Sequence, residues 1–251
     1  MEKALALLSL FESHPELSLT EVSNLSGLPK ATAHRLLRAL ERAGLVQQRA
    51  DRRYRLGLRL LRLASTVAER LEVREVALPH MRWLRDRTGQ SVQLVVVDGY
   101  EGVYVERVEG TAPVRLYIAL GRRGPLYAGA STRLLLAYLS PEQQEAILAR
   151  NPPQRHTPNT ITDLGRLREV LRETREKGWT ISYGELQEGS AEMAAPIWNH
   201  RGEVVAALSI AGADSQYTPA HLEQYLPLLR QASLAISREL GYHPALQEAN
   251  G

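Results

Sequence analysis

Cysteine is absent from this chain of 251 residues, and it has only three lysines and one phenylalanine. Without cysteine it cannot form a disulfide bond, a thiolate zinc site or a cysteine nucleophile. No apolar run approaches the roughly 20 residues that span a bilayer. The N-terminal run ALALLSLF ends at Glu12 without a small-residue cleavage site, which indicates an amphipathic helix and not a signal peptide. These absences favour a soluble cytoplasmic protein without a membrane partner.

The sequence also lacks the short motifs of common enzyme classes. It contains no G-x-S-x-G, G-x-G-x-x-G, P-loop or H-E-x-x-H pattern. Its seven histidines are scattered without ligand spacing, and no nucleophile clusters in sequence with the carboxylates of Glu185 and Glu192. We therefore expect no catalytic residue, no metal site and no cofactor. An enzyme, or a small-molecule sensor without a DNA role, remains the alternative.

Positive charge is concentrated in one short window. Residues 27–62 hold ten basic and two acidic residues, a net charge of +8, whereas residues 76–251 hold 18 basic and 19 acidic residues, a net charge of −1. Such asymmetry indicates a module that binds a polyanion, attached to a neutral domain. Because the chain has 28 arginines and three lysines, a solvated basic face on a small helical domain is the alternative interpretation.

Local patterns predict three helices and a hairpin in the first 56 residues. Apolar residues recur at helical spacing over residues 2–13. The segment Ser18-Leu19-Thr20-Glu21 is a capping box that begins a second helix. Pro29 opens a third helix, which Gly44 closes. Two strand-like runs flank the polar turn at residues 50–52 and predict a hairpin.

The third helix has two different faces at 100° per residue. Its apolar side consists of Ala33, Leu36, Leu37, Leu40 and Gly44. Its opposite side presents Arg35, Arg38 and Arg42 in register, with Lys30, Thr32 and His34 beside them. Guanidinium groups bind phosphate and guanine through paired hydrogen bonds, and a single helix fits the major groove. The following hairpin, with Arg49, Arg52, Arg53 and Tyr54, would be the wing of a winged helix-turn-helix.

The remainder of the chain predicts a second, α+β domain. Residues 57–72 are a linker helix, residues 73–241 form the domain, which opens with another helix, and residues 242–251 are a tail. The runs SVQLVVV, GVYVERV and VRLYIAL are rich in β-forming residues. Further helices follow, then two strands, WTISYG and VVAALSIAG, and a final helix from about Pro219 to Leu240. The sheet is predicted to be mostly antiparallel, with flanking helices.

Small residues mark three places in this second domain. Ser182 lies on the small face of one strand, Ser209 and Ala211 on that of another, and Ala130 and Ser131 at a helix start. Space beside the sheet and free N–H groups at the helix start would suit an anionic ligand. Close packing of a helix on the strands, and capping by Ser131 or Thr132, are the alternatives.

The chain resembles the IclR-type bacterial transcriptional regulators over nearly its whole length. The resemblance lies in SLTEVSNLSGLPKATAHRLLRALERAGLV, RYRLGLRLLRLA, EVALPHMRWLRDRTGQSVQLVVVDG, GRRGPLYAGASTRLLLAYL and EMAAPIWNHRGEVVAALSIAG. It implies an N-terminal winged helix-turn-helix, a linker helix and a C-terminal effector domain similar to GAF and PAS sensors. It also implies a homodimer or a homotetramer. Because two recognition helices would then contact one face of the duplex, we expect a palindromic operator on double-stranded DNA. A repressor is favoured, and an activator is the alternative.

The resemblance further implies an effector pocket for small organic acids or aromatic compounds. The matching positions are Ala130, Ser131, Ser182, Glu192, Ser209 and Ala211. Family members that bind small acids tend to carry an acidic residue at the position of Ser182 and serine at that of Ala211. If Glu192 points inward, it disfavours a bare dicarboxylate and favours a ligand with N–H or O–H donors; pointing to solvent is the alternative. Arg133, where lysine is usual, either pairs with an acid or caps its surroundings.

Overall fold

The computed structural model describes residues 2–68, 73–111 and 119–243. The chain forms two compact units, of which the second is Val73–Tyr242. Part of the predicted linker helix, most of the run VRLYIAL and most of the predicted tail lie outside the described residues. None of the helices described is long and apolar enough to cross a membrane.

The first unit has the predicted three helices and hairpin. Its elements are α1 (Glu2–Ser13), α2 (Leu19–Ser26), α3 (Lys30–Arg42), β1 (Val46–Gln48), β2 (Tyr54–Leu56) and α4 (Arg59–Ala68). The capping box at the start of α2 is confirmed. The N–H of Ser18 donates to the Glu21 carboxylate at 2.6 Å, and the N–H of Glu21 donates to the Ser18 hydroxyl at 3.3 Å. The strands β1 and β2 pair antiparallel, with Val46 opposite Leu56.

Buried apolar side chains orient α3 within this unit. Its core contains Leu7, Phe11, Leu17, Val22, Ala33, Leu37, Leu40, Val46 and Tyr54. Ala33, Leu37 and Leu40 come from the face of α3 that helical periodicity predicts to be buried. Gly27 ends α2 with a φ of 67°, a left-handed conformation that glycine adopts without a steric penalty. The tight turn and the buried face together direct the basic face of α3 to solvent.

The second unit is a sheet covered by helices, as the sequence predicts. Its elements are α5 (Val73–Thr88), β3 (Ser91–Asp98), β4 (Glu101–Val108), β5 (Arg123–Pro125), α6 (Ala130–Tyr138), α7 (Pro141–Arg150), α8 (Leu164–Lys177), β6 (Thr180–Tyr183), β7 (Ser190–Trp198), β8 (Val204–Ala213) and α9 (Pro219–Glu239). The strand order is β5-β4-β3-β8-β7-β6, and all neighbours are antiparallel. Helices α5 and α9 pack on one face, whereas α6, backed by α8, packs on the other.

Strand β7 is the one long strand that the sequence pattern does not predict, because it is rich in alanine and contains Pro196. Proline in a sheet is tolerated where no ladder bond needs its N–H. The pairing with β6 ends where Thr180 meets Ala194, before the chain reaches Pro196. The carbonyl of Pro196 instead accepts a hydrogen bond from the Ser233 hydroxyl on α9. Pro196 therefore lies within β7 without breaking the sheet.

Candidate functional sites

The exposed face of α3 carries a row of cationic side chains. Lys30, His34, Arg35, Arg38 and Arg42 are all exposed, and Thr32 is half-buried beside them. In the part of the chain that the structure describes, Arg35 and Arg42 form no ion pair, whereas Arg38 donates to the Glu41 carboxylate at 2.9 Å. The two unpaired guanidinium groups lie seven residues apart, on the same side of the helix. With Lys30, which is exposed and forms no ion pair among the described residues either, they are available to an external anion.

Glu41 connects α3 to the hairpin and restrains Arg38. Its carboxylate accepts the N–H of Gln48 at 3.1 Å. That hydrogen bond, and then the one from Arg38, lower the pKa of Glu41 below its ordinary value. The carboxylate is therefore ionised at neutral pH. Arg38 is therefore held by an ionised partner, whereas Arg35 forms no ion pair among the described residues.

The arginines of the hairpin divide into two groups. Arg49 donates to the Glu16 carboxylate at 2.5 Å, and Arg53 donates to the Glu16 carbonyl and the Glu21 carboxylate, both at 3.0 Å. These two side chains tie the hairpin to the loop before α2 and to the first turn of α2. Arg52 lies exposed at the hairpin tip with a φ of 66°, a left-handed conformation that costs a non-glycine residue about 1–2 kcal/mol. Strain of this kind is often found at functional positions.

Tyr54 corrects one prediction. Its side chain is 1% exposed and lies in the core of the first unit, so it cannot contact DNA. Burial, and then the charge of Glu41, raise the pKa of its hydroxyl. The backbone of Tyr54 also pairs with Leu17 through two hydrogen bonds of 2.7 and 3.0 Å. Because side chains alternate along a strand, burying Tyr54 turns Arg53 and Arg55 away from the core.

The second unit contains a cavity between the sheet and the first turn of α6. The space within it is about 490 Å³, a figure that includes the part open to solvent. Its lining combines polar, charged and small residues: Gln93, Tyr104, Arg122, Gly129, Ser182, Glu185, Leu186, Gln187, Ser190, Glu192 and Ala211. Strand register brings the sheet residues together, since Glu192 lies opposite Ser182 on one side and opposite Ala211 on the other. Directly opposed residues of antiparallel strands share one face.

Two carboxylates of the chain itself occupy the start of α6. The N–H of Ala130 donates to Glu192 Oε2 at 2.8 Å, and the N–H of Gly129 donates to Glu185 Oε2 at 3.1 Å. The sequence predicts free N–H groups here for a ligand's carboxylate, and this prediction is wrong for these two. The negative charges of Glu185 and Glu192 already lie at the positive end of the α6 dipole. Glu192 is 8% exposed, so of its two predicted orientations the inward one is correct.

Arg133 and Glu185 form a buried ion pair next to this cavity. Their side chains are 2% and 7% exposed, and one guanidinium nitrogen of Arg133 contacts both oxygens of Glu185. The other terminal nitrogen donates to the carbonyl of Ile181 at 2.7 Å. Of the two predicted roles for Arg133, it takes the one of pairing with an acid. The pair connects α6 to the loop that carries Glu185.

Two polar atoms of the cavity wall have no hydrogen-bond partner among the described residues. They are Oε1 of Glu192 and Nε2 of Gln93, both buried. Burial, and then the charge of Glu192, raise the pKa of the Tyr104 hydroxyl above its ordinary value, so this phenol is protonated at neutral pH. Arg122 is exposed at the edge of the cavity and forms no ion pair in the described ranges. The wall thus presents one strong acceptor and several donors.

The predicted pocket residues fall into two groups. Ser182, Glu192 and Ala211 line the cavity, and Ala130 reaches it through its bond to Glu192. Ser131 and Ser209 are fully buried beside it without forming its wall; the Ser209 hydroxyl is 3.5 Å from Gln93 Oε1.

Sequence reasoning missed most of the wall, including Gln93, Tyr104 and Arg122. A glutamine inside the apolar run SVQLVVV was a detectable signal, because a buried amide needs partners. Arg122 follows a loop and carries no such signal. Among the described residues, no group of three or more side chains of the metal-binding types could hold a metal ion.

A helix-turn-helix with exposed, unpaired arginines, together with a separate unit that encloses a polar cavity, defines the class of DNA-binding regulators. The comparisons with known proteins narrow this class. The family model described as the IclR helix-turn-helix domain matches residues 1–50, and that of the bacterial transcriptional regulator IclR C-terminal region matches residues 65–238. The chain belongs to the IclR family of bacterial transcriptional regulators. It is a DNA-binding regulator and not an enzyme.

Named relatives cover almost the full length. The transcriptional regulator KipR of Bacillus subtilis is 41% identical over 240 residues, with 96% of each chain covered. The transcriptional repressor AllR of Klebsiella pneumoniae is 32% identical over 246 residues, covering 97% of this chain and 90% of its own. These likenesses extend through both units.

Solved structures agree with this assignment. A structure described as an IclR transcriptional regulator from Silicibacter sp. matches with a TM-score of 0.86 at 30% identity, with 96% of each chain covered. An IclR homologue from Microbacterium hydrocarbonoxydans, solved in complex with 4-hydroxybenzoate, matches with a TM-score of 0.63 at 29% identity, covering 94% of this chain and 98% of its own.

Proposed function

We propose that the chain is a sequence-specific cytoplasmic repressor that binds a palindromic operator as a homodimer or homotetramer, and that a small molecule in the cavity changes its affinity for the operator. The observation that carries the proposal is the separation of two unsatisfied surfaces. Among the described residues, one unit exposes arginines without ion pairs on a helix, and the other holds buried polar atoms without hydrogen-bond partners beside a cavity. A regulator needs both kinds of site, one for DNA and one for a signal.

In this proposal α3 enters the major groove and the hairpin contacts the flanking backbone. Arg35 and Arg42 supply the contacts to base edges or phosphates, with Lys30, Thr32 and His34 near the start of the helix. Arg38 contacts DNA only when its ion pair with Glu41 is broken. Arg52 contacts a phosphate from the hairpin tip, while Arg49 and Arg53 hold the hairpin in position and add positive potential.

The cavity is the proposed effector site. A ligand can shift DNA binding only if it binds one arrangement of the protein more tightly than another. The cavity suits such coupling because it lies between the sheet and α6, so that a ligand contacts both. The complex of the Microbacterium homologue with 4-hydroxybenzoate supports a small-molecule site in this family, and the repressor name of AllR supports the direction of regulation.

The test is selection of genomic DNA fragments by the purified full-length protein, followed by footprinting of the enriched sites. We expect paired, inverted half-sites whose centres are about 10 base pairs apart, or a multiple of that spacing, because two recognition helices must reach the same face of the duplex. In transcription reactions on these promoters, the protein should lower the yield of product. A single asymmetric half-site at saturation, or no enrichment at all, would refute the proposal.

A further inference from the structure

We infer that the effector of this protein carries an N–H donor group, an ammonium or an amide, which binds Glu192, and a carboxylate or similar acceptor elsewhere in the molecule. This inference rests on the proposed function, since it describes the ligand of the same cavity. It follows from the position of Glu192, from the occupied start of α6, and from the donors on the rest of the wall.

Glu192 lines the cavity, and its two carboxylate oxygens differ in their hydrogen bonding. Its Oε2 is used by the N–H of Ala130 at 2.8 Å, while its Oε1 is buried and has no partner in the described part of the chain. A buried carboxylate oxygen without a hydrogen bond is costly, because it has lost water and gained nothing in exchange. A ligand N–H at this position would supply the missing bond, and a positive charge on that group would strengthen it.

The start of α6 is not available to a second anion. Glu185 and Glu192 already accept the N–H groups of Gly129 and Ala130. A ligand carboxylate placed there would lie beside two carboxylates and would need to displace one of them. Only Glu185 is neutralised by a buried cation, Arg133. The negative charge of Glu192 therefore repels an anionic group at this end of the cavity.

The rest of the wall favours an acceptor on the same ligand. Nε2 of Gln93 is buried and has no partner among the described residues, and Tyr104 lines the cavity as a neutral phenol. Arg122 lies on the cavity edge and pairs with no acidic residue that the structure describes. A carboxylate or carbonyl of the ligand can bind these donors while its N–H group binds Glu192. The complementary ligand thus carries a donor at one end and an acceptor at the other.

The experiment measures binding of four five-carbon probes to the full-length protein by calorimetry at millimolar concentrations. Each probe carries a carboxylate at one end, and the four differ only at the other end. The probe 5-aminopentanoate has an ammonium group, glutaramate an amide, glutarate a second carboxylate and pentanoate a methyl group. We expect at least one of the two N–H probes to bind about tenfold or more tightly than glutarate and pentanoate. Tighter binding of 5-aminopentanoate would indicate an ammonium ligand, and tighter binding of glutaramate an amide ligand.

Two variants assign the preference to Glu192. Glu192→Gln keeps an oxygen for the N–H of Ala130 but presents an amide N–H to the cavity, so the preference for N–H probes should disappear or reverse towards glutarate. Glu188→Gln makes the same change in net charge at an exposed position outside the cavity wall, and it should keep the wild-type preference.

The inference is overturned if wild type prefers glutarate or pentanoate, if neither N–H probe binds, or if Glu192→Gln leaves the order of affinities unchanged. Failure of the proposed function is seen separately. If the N–H probes bind with the expected preference but leave operator affinity unchanged, the ligand chemistry stands and the regulatory role of the cavity fails.

Discussion

Replacement of Arg133 by methionine should destabilise the second unit more than any substitution of an exposed arginine. Removing one member of a buried ion pair leaves the other charge uncompensated and typically costs about 3–5 kcal/mol. Glu185 would keep its hydrogen bond from the N–H of Gly129 at 3.1 Å. We therefore expect a loss of stability at the lower end of this range, about 3 kcal/mol. Methionine fills most of the volume of the arginine stem. The loss of stability should therefore come from the missing charge and not from a large cavity.

The expected shift is large enough to measure by differential scanning calorimetry of the full-length protein. For a unit of this size, each kcal/mol lowers Tm by about 2–4 °C, so Arg133→Met should lower it by about 6–12 °C. The double variant Arg133→Met, Glu185→Gln removes both charges and keeps an acceptor for Gly129. Because replacing a whole buried pair is often nearly neutral, the double variant should recover most of the loss.

A matched control comes from α8. Arg172 pairs with Glu176 at 3.5 Å, but the two side chains are 69% and 61% exposed. Surface pairs of this kind contribute about 0–1 kcal/mol, so Arg172→Met should shift Tm by no more than about 4 °C. The reasoning is refuted if Arg133→Met behaves like this control, or if the double variant is as unstable as the single one.

Three further predictions concern the hairpin, its junction with α4 and the cavity. Arg52→Gly removes one guanidinium group without straining the left-handed backbone. It should therefore weaken binding to cognate and to random DNA equally, and reduce the salt slope of binding by about 1 in anisotropy titrations. A loss of affinity on cognate DNA alone would contradict a phosphate contact. A Cβ at position 57 would lie 2.2 Å from the Gly44 carbonyl oxygen, so Gly57→Ala should cost about 1–3 kcal/mol in thermal unfolding, and unchanged stability would show that the junction is loose. Ala211→Leu should fill the cavity, abolish binding of the N–H probes and leave operator affinity without ligand intact, as calorimetry and anisotropy would show. Undiminished probe binding in that variant would place the ligand site elsewhere.

The elements of the first unit could be predicted because their signals are local. Helical periodicity identifies the buried face of α3, and the capping box and Gly27 delimit α2. The arginine-rich hairpin predicts an exposed Tyr54, and this prediction is wrong because the alternation of side chains along a strand buries that position. The sequence does not separate Arg49 and Arg53 from Arg52, because their acidic partners, Glu16 and Glu21, lie more than 30 positions away in the chain.

The cavity could be predicted only in part because its chemistry depends on strand register. Ser182 and Ala211 were recognised by their small size on strand faces, which is a local property. The orientation of Glu192 is set by the alignment of β6, β7 and β8. The sequence does not predict β7, because Pro196 lies within it. The occupation of the α6 start by Glu185 and Glu192 joins residues more than 50 positions apart, which no local pattern reveals.

The central claim, that α3 reads DNA sequence, is tested most directly by the affinity of Arg35→Ala for a selected operator and for random DNA of equal length. If Arg35 contacts a base edge, the variant should lose about 1–3 kcal/mol on the operator and much less on random DNA, so that the ratio of the two affinities falls by about five-fold or more. Arg52→Gly, measured beside it, should lower both affinities and preserve the ratio. If Arg35→Ala preserves the ratio as well, α3 does not read sequence as proposed.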